Sequence, residues 1–205
     1  KQMGFEGIEF AEINPGEKNK IEYAKQLRAY ADKIGVEISN YAIGADFLNK
    51  DVDAEIERLK GEVDIAQILG VKTMRHDATI GLESERFSKT GFEEHLPTLA
   101  KGCKAVTEYA KTKGIKTCVE NHGFYCQQSD RVEALINAVG DDNFGWLVDI
   151  GNFLCADETP LDAVKVGVKH IVYAHVKDFY YVDKSEAAPD GYFDTRDGNH
   201  LCGSV

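Results

Sequence analysis

The sequence predicts an α/β fold of the TIM (β/α)8-barrel type, in which strands alternate with helices. Six short apolar or β-branched runs recur between longer amphipathic stretches, and three glycines each stand one residue before the next strand. Repeated strand–helix units with apolar strands are typical of a parallel sheet. An open doubly wound sheet would also accommodate them, but no glycine-rich phosphate loop follows any strand. We therefore expect a closed barrel.

The predicted elements follow one another in a regular order. Strands are predicted at residues 3–10, 36–43, 71–76, 115–120, 144–149 and 171–176, and helices at 19–34, 52–69, 92–113, 129–139 and 160–167. In the second helix, apolar residues from Ile56 to Leu69 share one face at a spacing of about 3.6 residues. Residues 83–89 are expected to form an exposed loop over the barrel mouth.

Length bounds the number of domains. The chain has 205 residues, of which 43% are hydrophobic and 29% charged, which fits one domain over residues 1–205. A full barrel has about 250 residues. We therefore expect a barrel truncated at both ends, with strands two to seven present, cut from a longer chain.

Charge and cysteine content restrict the partners and the compartment. The net charge of −11 disfavours nucleic acid, whose phosphates a negative surface repels. No apolar run approaches the roughly 20 residues of a membrane helix, so no membrane partner is expected. Five cysteines without a C-x-x-C pair indicate reduced thiols and a cytoplasmic location.

Three successive predicted strands end in a residue that can bind a divalent metal. These residues are Glu120, Asp149 and His175. The C-terminal ends of barrel strands meet at the active-site face, and carboxylates with an imidazole suit a hard or borderline cation. The alternatives are structural: Glu120 as a buried carboxylate paired with a lysine, and His175 as a histidine of the core.

Four motifs resemble the sugar phosphate isomerase/epimerase family of xylose isomerase-like TIM barrels. They are GFEGIEF at 4–10, VENHG at 119–123, VDIGN at 148–152 and AHVKD at 174–178. The resemblance covers essentially the whole chain. It implies one divalent metal bound by Glu120, Asp149 and His175. The fourth ligand of the family, a glutamate, would lie on a strand beyond this sequence, because no glutamate follows Glu186.

The resemblance implies a reaction as well as a ligand set. Members abstract a proton next to the metal-bound carbonyl of a small sugar or keto-polyol, and the ligand Glu120 would then also be the base. His122 is a second catalytic candidate, and an additional base there favours a lyase of the inosose dehydratase kind. A DNA-repair nuclease like endonuclease IV and a non-catalytic sugar-binding barrel are further alternatives.

The metal and the assembly follow from the same resemblance. Manganese is the expected ion, and zinc, magnesium and cobalt are alternatives that this donor set tolerates. Dimers are common among members of the family, so a homodimer is expected as one form of the protein.

Five further residues are candidates for substrate contacts. They are Glu9, His76, Asn152, Lys177 and Arg196. A structural hydrogen bond is an equal alternative for Glu9 and His76, and pairing with Asp178 or Glu120 for Lys177. As a neutral amide, Asn152 would bond a substrate hydroxyl or a metal-bound water, whereas Arg196 lies on a predicted polar loop and could be a solvated surface arginine.

Overall fold

The predicted alternation of strands and helices is confirmed. The computed structural model describes residues 3–85, 88 and 90–204, so part of the predicted loop at 83–89 lies outside the described residues. The strands of the main sheet are β1 (Gly7–Ala11), β2 (Glu37–Ile43), β3 (Thr73–His76), β4 (Lys116–Glu120), β5 (Phe144–Asp149) and β6 (Ile171–His175). The helices between them are α1 (Lys20–Ile34), α2 (Val52–Leu69), α3 (Phe92–Thr112), α4 (Ser129–Val139) and α5 (Pro160–Gly167).

The six strands form one parallel sheet in the order of the sequence. In the described part of the chain, β1 and β6 are its two edges. Side chains bridge these edges: His175 Nε2 lies 3.1 Å from Glu9 Oε2, and the Tyr173 hydroxyl donates to Ser39 Oγ at 2.8 Å. The sheet is therefore curled far enough for its first two strands to meet its last.

The helix ends explain why a strand follows at once. Asn19 caps α1 by accepting hydrogen bonds from two backbone amides, and Asp51 caps α2 by accepting one from Ala54. Gly35 and Gly70 end these helices with φ angles of 65° and 77°, which an L side chain rarely adopts. Gly4, with φ at 87°, interrupts the segment predicted as the first strand, which therefore begins only at Gly7.

The core lies between the sheet and the helices. Met74, Val119 and Trp146 project from the central strands and are completely buried, as are Leu59 and Leu99 on α2 and α3. Burial of such side chains is the main source of stability in an α/β fold. Among the described helices, none combines the length and the apolar character needed to cross a bilayer.

After β6 the chain forms a small antiparallel sheet that the sequence did not predict. It consists of β7 (Asp178–Val182), β8 (Phe193–Asp194) and β9 (His200–Ser204), in the order β7-β9-β8. The turn before β9 wraps around the Asp157 carboxylate, which accepts hydrogen bonds from the Thr195 hydroxyl, the Asp197 amide and the Asn199 amide group. The expected polar loop around Arg196 is therefore partly a sheet anchored to the main fold.

Candidate metal centre and active-site cleft

Glu120, Asp149 and His175 converge at the C-terminal ends of three neighbouring strands. Each offers one ligand atom, and these three atoms lie within 4.8 Å of one another. Asp149 and His175 are paired directly across β5 and β6, and Glu120 closes β4 beside them. Because strand parity turns all three side chains inward, the register of the sheet brings them to one point.

The two oxygens of Glu120 have different surroundings. Oε2 forms an ion pair with Arg75 Nε at 2.8 Å, whereas Oε1 accepts a hydrogen bond from Asn152 Nδ2 at 3.1 Å and faces His175 Nδ1 at 3.9 Å. Burial raises the pKa of Glu120, but the contact with His175 and the charges of Arg75, His122 and His175 outweigh it and lower that pKa. Glu120 is therefore an ionised carboxylate.

Backbone amides that follow Asp149 in the chain hold its carboxylate in place. Its Oδ1 accepts hydrogen bonds from the amides of Gly151 at 3.1 Å and Asn152 at 3.3 Å, and its Oδ2 lies 3.2 Å from Lys177 Nζ. The Asn121 side chain clamps the backbone, because Asn121 donates to the Asp149 carbonyl and accepts from the Asp149 amide. Because Oδ1 accepts the two backbone amides, Oδ2 is the oxygen that a metal would bind in place of Lys177.

His175 lies between two carboxylates. Contacts with Glu120 and then Glu9 raise the pKa of His175 to about 10, so the imidazole is protonated in the metal-free protein. Burial raises the pKa of Glu9, but the hydrogen bond and charge of His175 and a hydrogen bond from Asn40 lower it overall. A metal that binds His175 must replace this proton.

The donor set fits a divalent metal. Two carboxylates and one imidazole suit manganese, magnesium, cobalt or zinc. Each donor is also oriented by a second partner: Arg75 on Glu120, backbone amides on Asp149, and Glu9 on His175. Such outer contacts are a regular feature of metal sites, because they fix the ligands before the ion arrives.

Sequence analysis did not find Arg75 and Asp77. Arg75 Nη2 forms a second ion pair with Asp77 Oδ1 at 2.7 Å, and His122 Nδ1 lies 3.5 Å from the same oxygen. Arg75 and Asp77 together therefore connect the candidate ligand Glu120 to His122, whose side chain is 49% exposed. The available signal was an arginine within the short strand β3, where a buried charge requires a partner.

A cleft of 770 Å³ opens over the cluster. Its polar lining includes Glu9, Ser39, Arg75, Glu120, His122, Asp149, His175 and Lys177, and its apolar lining includes Ile8, Ala11, Ala42, Tyr173 and Val176. A volume of this size accommodates a small sugar.

The predicted substrate contacts fall into two groups. Glu9 and Lys177 line the cleft, and Asn152 is buried behind Glu120, to which it donates. His76 is completely buried, with its Nδ1 at 2.8 Å from the Asp77 carbonyl, and Arg196 donates to the Phe124 carbonyl. The structure does not bring His76 or Arg196 to the cleft, so their roles as substrate contacts stay predictions without geometric support.

The chain is similar in sequence to a family of known proteins. The sequence profile of the family described as "Xylose isomerase-like TIM barrel" matches residues 1–203. Two curated relatives are the uncharacterized protein YihM of Escherichia coli K12, 27% identical over 158 residues, and an inosose dehydratase of Clostridium perfringens, 24% identical over 183 residues. The matches cover 75% and 85% of this chain but only 42% and 60% of these relatives.

Solved structures share the fold. A xylose isomerase domain protein from Planctomyces limnophilus superimposes with a TM-score of 0.75 at 14% identity, over 99% of this chain and 71% of that one. A D-psicose 3-epimerase crystallised in the presence of D-fructose gives a TM-score of 0.68 at 18% identity, over 85% and 63%. The predicted family resemblance and the barrel fold are confirmed.

Proposed function

The chain belongs to the xylose isomerase-like TIM barrel family, and on this premise we propose that it is a metal-dependent isomerase or epimerase of a small sugar. The observation that carries the proposal is the convergence of Glu120, Asp149 and His175 within 4.8 Å at the base of an open cleft. Structural neighbours that include a D-psicose 3-epimerase support the reaction class. Manganese is the proposed ion, with zinc, magnesium and cobalt as alternatives.

The residues of the chain would act as follows. A divalent metal, when bound, supplies the Lewis acid that polarises the carbonyl of the substrate. Glu120, Asp149 and His175 would hold it. Glu120 lines the cleft, and its Oε1, which Arg75 does not contact, would accept the proton from the neighbouring carbon, while Arg75 fixes Oε2 and so keeps the carboxylate ionised and oriented. Glu9, at the opposite edge of the sheet, holds the imidazole of His175.

A lyase is the second candidate, because one observation favours it. The half-exposed His122 lines the cleft, and Asp77 lies close enough to orient its ring. A second base of this kind suits the removal of water from a keto-polyol. The curated relative named inosose dehydratase supports the same reading. A nuclease of the endonuclease IV kind is disfavoured, since among the described residues His175 is the only histidine in the cluster.

Further assignments stay predictions. We propose a single domain over residues 1–205, a cytoplasmic location and a homodimer, as the sequence indicates. The proposed substrate is a small sugar or keto-polyol, and nucleic acid and membranes are not proposed as partners.

Proton exchange tests the proposed function. The chain, supplied with Mn²⁺ in deuterium oxide, would be incubated with a panel of ketoses and keto-polyols and followed by NMR. We expect deuterium to enter the carbon next to the carbonyl, and Glu120→Gln to abolish the exchange. Glu57→Gln is the matched control, because Glu57 lies on the exposed face of α2 and pairs only with Lys60 among the described residues.

The outcomes separate the two reaction classes. Exchange without loss of water supports the isomerase or epimerase, whereas an unsaturated or dehydrated product supports the lyase. If Glu120→Gln exchanges deuterium as fast as the unsubstituted chain, proton abstraction at this cluster is contradicted.

A further inference from the structure

Lys177 contacts the carboxylate oxygen of Asp149 that accepts no hydrogen bond from the backbone. Its Nζ is 3.2 Å from Asp149 Oδ2, whereas Asp149 Oδ1 accepts two backbone amides. Oδ2 is therefore both the oxygen available to a metal and the oxygen that the ammonium group contacts. A lysine here competes directly with the ion for the same lone pairs.

Arg75 also lines the cleft, but it is held more firmly than Lys177. Arg75 is buried and forms ion pairs with two carboxylates, Glu120 and Asp77, so it is fixed from two sides. The Lys177 side chain is 39% exposed and has one carboxylate partner among the described residues. Its flexible four-carbon stem allows the ammonium group to leave Asp149 without a change of the backbone.

The Phe179 ring gives the ammonium group a second contact in the same position in which it contacts Asp149. Lys177 Nζ lies 5.2 Å from the centre of the Phe179 ring, within the range of a cation–π interaction. Phe179 is in β7, which follows the cluster directly. The lysine can therefore turn away from Asp149 and remain stabilised at the rim of the cleft.

We infer that Lys177 is a metal-displaced substrate ligand: its ammonium group neutralises Asp149 while no metal is bound, and metal binding releases it into the cleft. The released ammonium group then contacts a substrate oxygen that carries negative charge, such as the oxygen of a carbonyl that is losing a neighbouring proton. This inference rests on the proposed metal site. It also fixes an order of binding, with the metal before the substrate.

A calorimetric titration with Mn²⁺ tests the competition. Lys177→Met removes the competing charge, so we expect it to bind Mn²⁺ about tenfold more tightly than the unsubstituted chain. Lys177→Arg keeps a cation against Asp149 and is expected to show no such gain. Lys165→Met is the matched control, because Lys165 also forms an ion pair, with Asp162 on α5 at 2.9 Å, and lies outside the cleft.

Chemical labelling of the unsubstituted chain tests the release independently. Sulfo-NHS-acetate modifies free lysines, and the modified residues are quantified by mass spectrometry. We expect Mn²⁺ to increase the labelling of Lys177 several-fold and to leave that of Lys165 unchanged. Labelling of Lys177 that stays constant or falls when Mn²⁺ is added overturns the release.

The results distinguish this inference from the metal site on which it rests. If the unsubstituted chain binds Mn²⁺ and Lys177→Met binds it equally or more weakly, the site stands and the displacement is overturned. Weaker Mn²⁺ binding by Lys177→Met is the result expected if Lys177 stays on Asp149 and orients that carboxylate for the metal. If neither protein binds Mn²⁺, the metal site and the inference both fail. Binding by Lys177→Met alone supports both.

Discussion

Two buried carboxylate clusters of this protein differ in whether their oxygens converge with other possible metal ligands. At the start of α2, Glu55 is 3% exposed, and its two oxygens accept from Arg58 Nε and Nη2, Lys50 Nζ and the Asp46 amide. In the cleft, Glu120 and Asp149 are also buried and paired, but each turns one oxygen toward a shared point. Burial and ion pairing are common to both clusters and therefore do not identify a metal site. The convergence of two carboxylates and an imidazole on one point distinguishes the cleft.

The largest expected effect breaks the converging cluster. Asp149→Asn removes the negative charge that faces the metal, so we expect the Mn²⁺ affinity to fall on the order of a thousandfold, or about 4 kcal/mol. Glu55→Gln is the contrasting variant and should leave the Mn²⁺ affinity unchanged. Calorimetric titration of both measures the difference. Equal losses in the two variants would contradict the distinction between the clusters.

The next largest effect is a loss of stability at Asn121, which follows β4 and forms hydrogen bonds with the backbone of Asp149 on β5. Asn121 is buried and exchanges two hydrogen bonds with the Asp149 backbone and accepts one from the Trp146 indole. Asn121→Ala leaves these buried groups without partners, so we expect it to lower the free energy of unfolding by about 3 kcal/mol. Urea denaturation of the metal-free protein measures the loss. A change under about 1 kcal/mol would show that the clamp contributes little.

A pH-dependent contribution to the free energy of unfolding is expected at Glu55. Burial raises the pKa of Glu55, but hydrogen bonds from Arg58, the Asp46 amide and Lys50 lower it to about 2. Because the folded pKa lies below the unfolded value, the stabilisation is complete above the unfolded pKa of about 4.5 and disappears as the pH falls toward 2. We expect Glu55→Gln to lose about 2 kcal/mol at pH 7.

The same variant should approach the stability of the unsubstituted chain in strong acid. Denaturant unfolding of both proteins at several pH values between about 7 and 2.5 tests the convergence. A difference that stayed constant over this range would contradict the assignment of the effect to the ionised carboxylate.

The smallest effect is expected where the edges of the sheet meet. The Tyr173 hydroxyl donates to Ser39 across the gap, in a region that is only partly buried. Because water can replace this partner, Tyr173→Phe should lower the free energy of unfolding by only about 0.5 kcal/mol. A loss as large as that of Asn121→Ala would show that the edges contribute as much as the central strands.

Sequence patterns predicted the candidate ligands that converge in the structure, but not Arg75, which contacts one of them. Glu120, Asp149 and His175 could be found because each ends a strand, and strand ends of a parallel barrel meet on one face. The pairing of Arg75 with Glu120 depends on how β3 and β4 lie against each other, which no local pattern encodes. His76 was predicted as a substrate contact, but side chains alternate along β3, so Arg75 lines the cleft while His76 is buried on the opposite face of the strand.

The C-terminal sheet was missed for a different reason. Residues between Asp178 and Ser204 mix aromatic, charged and turn-forming side chains without a sustained apolar alternation. Their order comes from distant contacts, above all the three hydrogen bonds accepted by Asp157 from the turn before β9. Such long-range anchoring cannot be read from a window of sequence.

X-ray absorption spectroscopy of the zinc-loaded chain tests the central claim most directly. The account predicts about one zinc per chain, with one imidazole nitrogen and otherwise only oxygen ligands, and loss of this spectrum in Asp149→Asn. More than one imidazole, a thiolate ligand, or the absence of stoichiometric zinc would contradict a centre built from Glu120, Asp149 and His175.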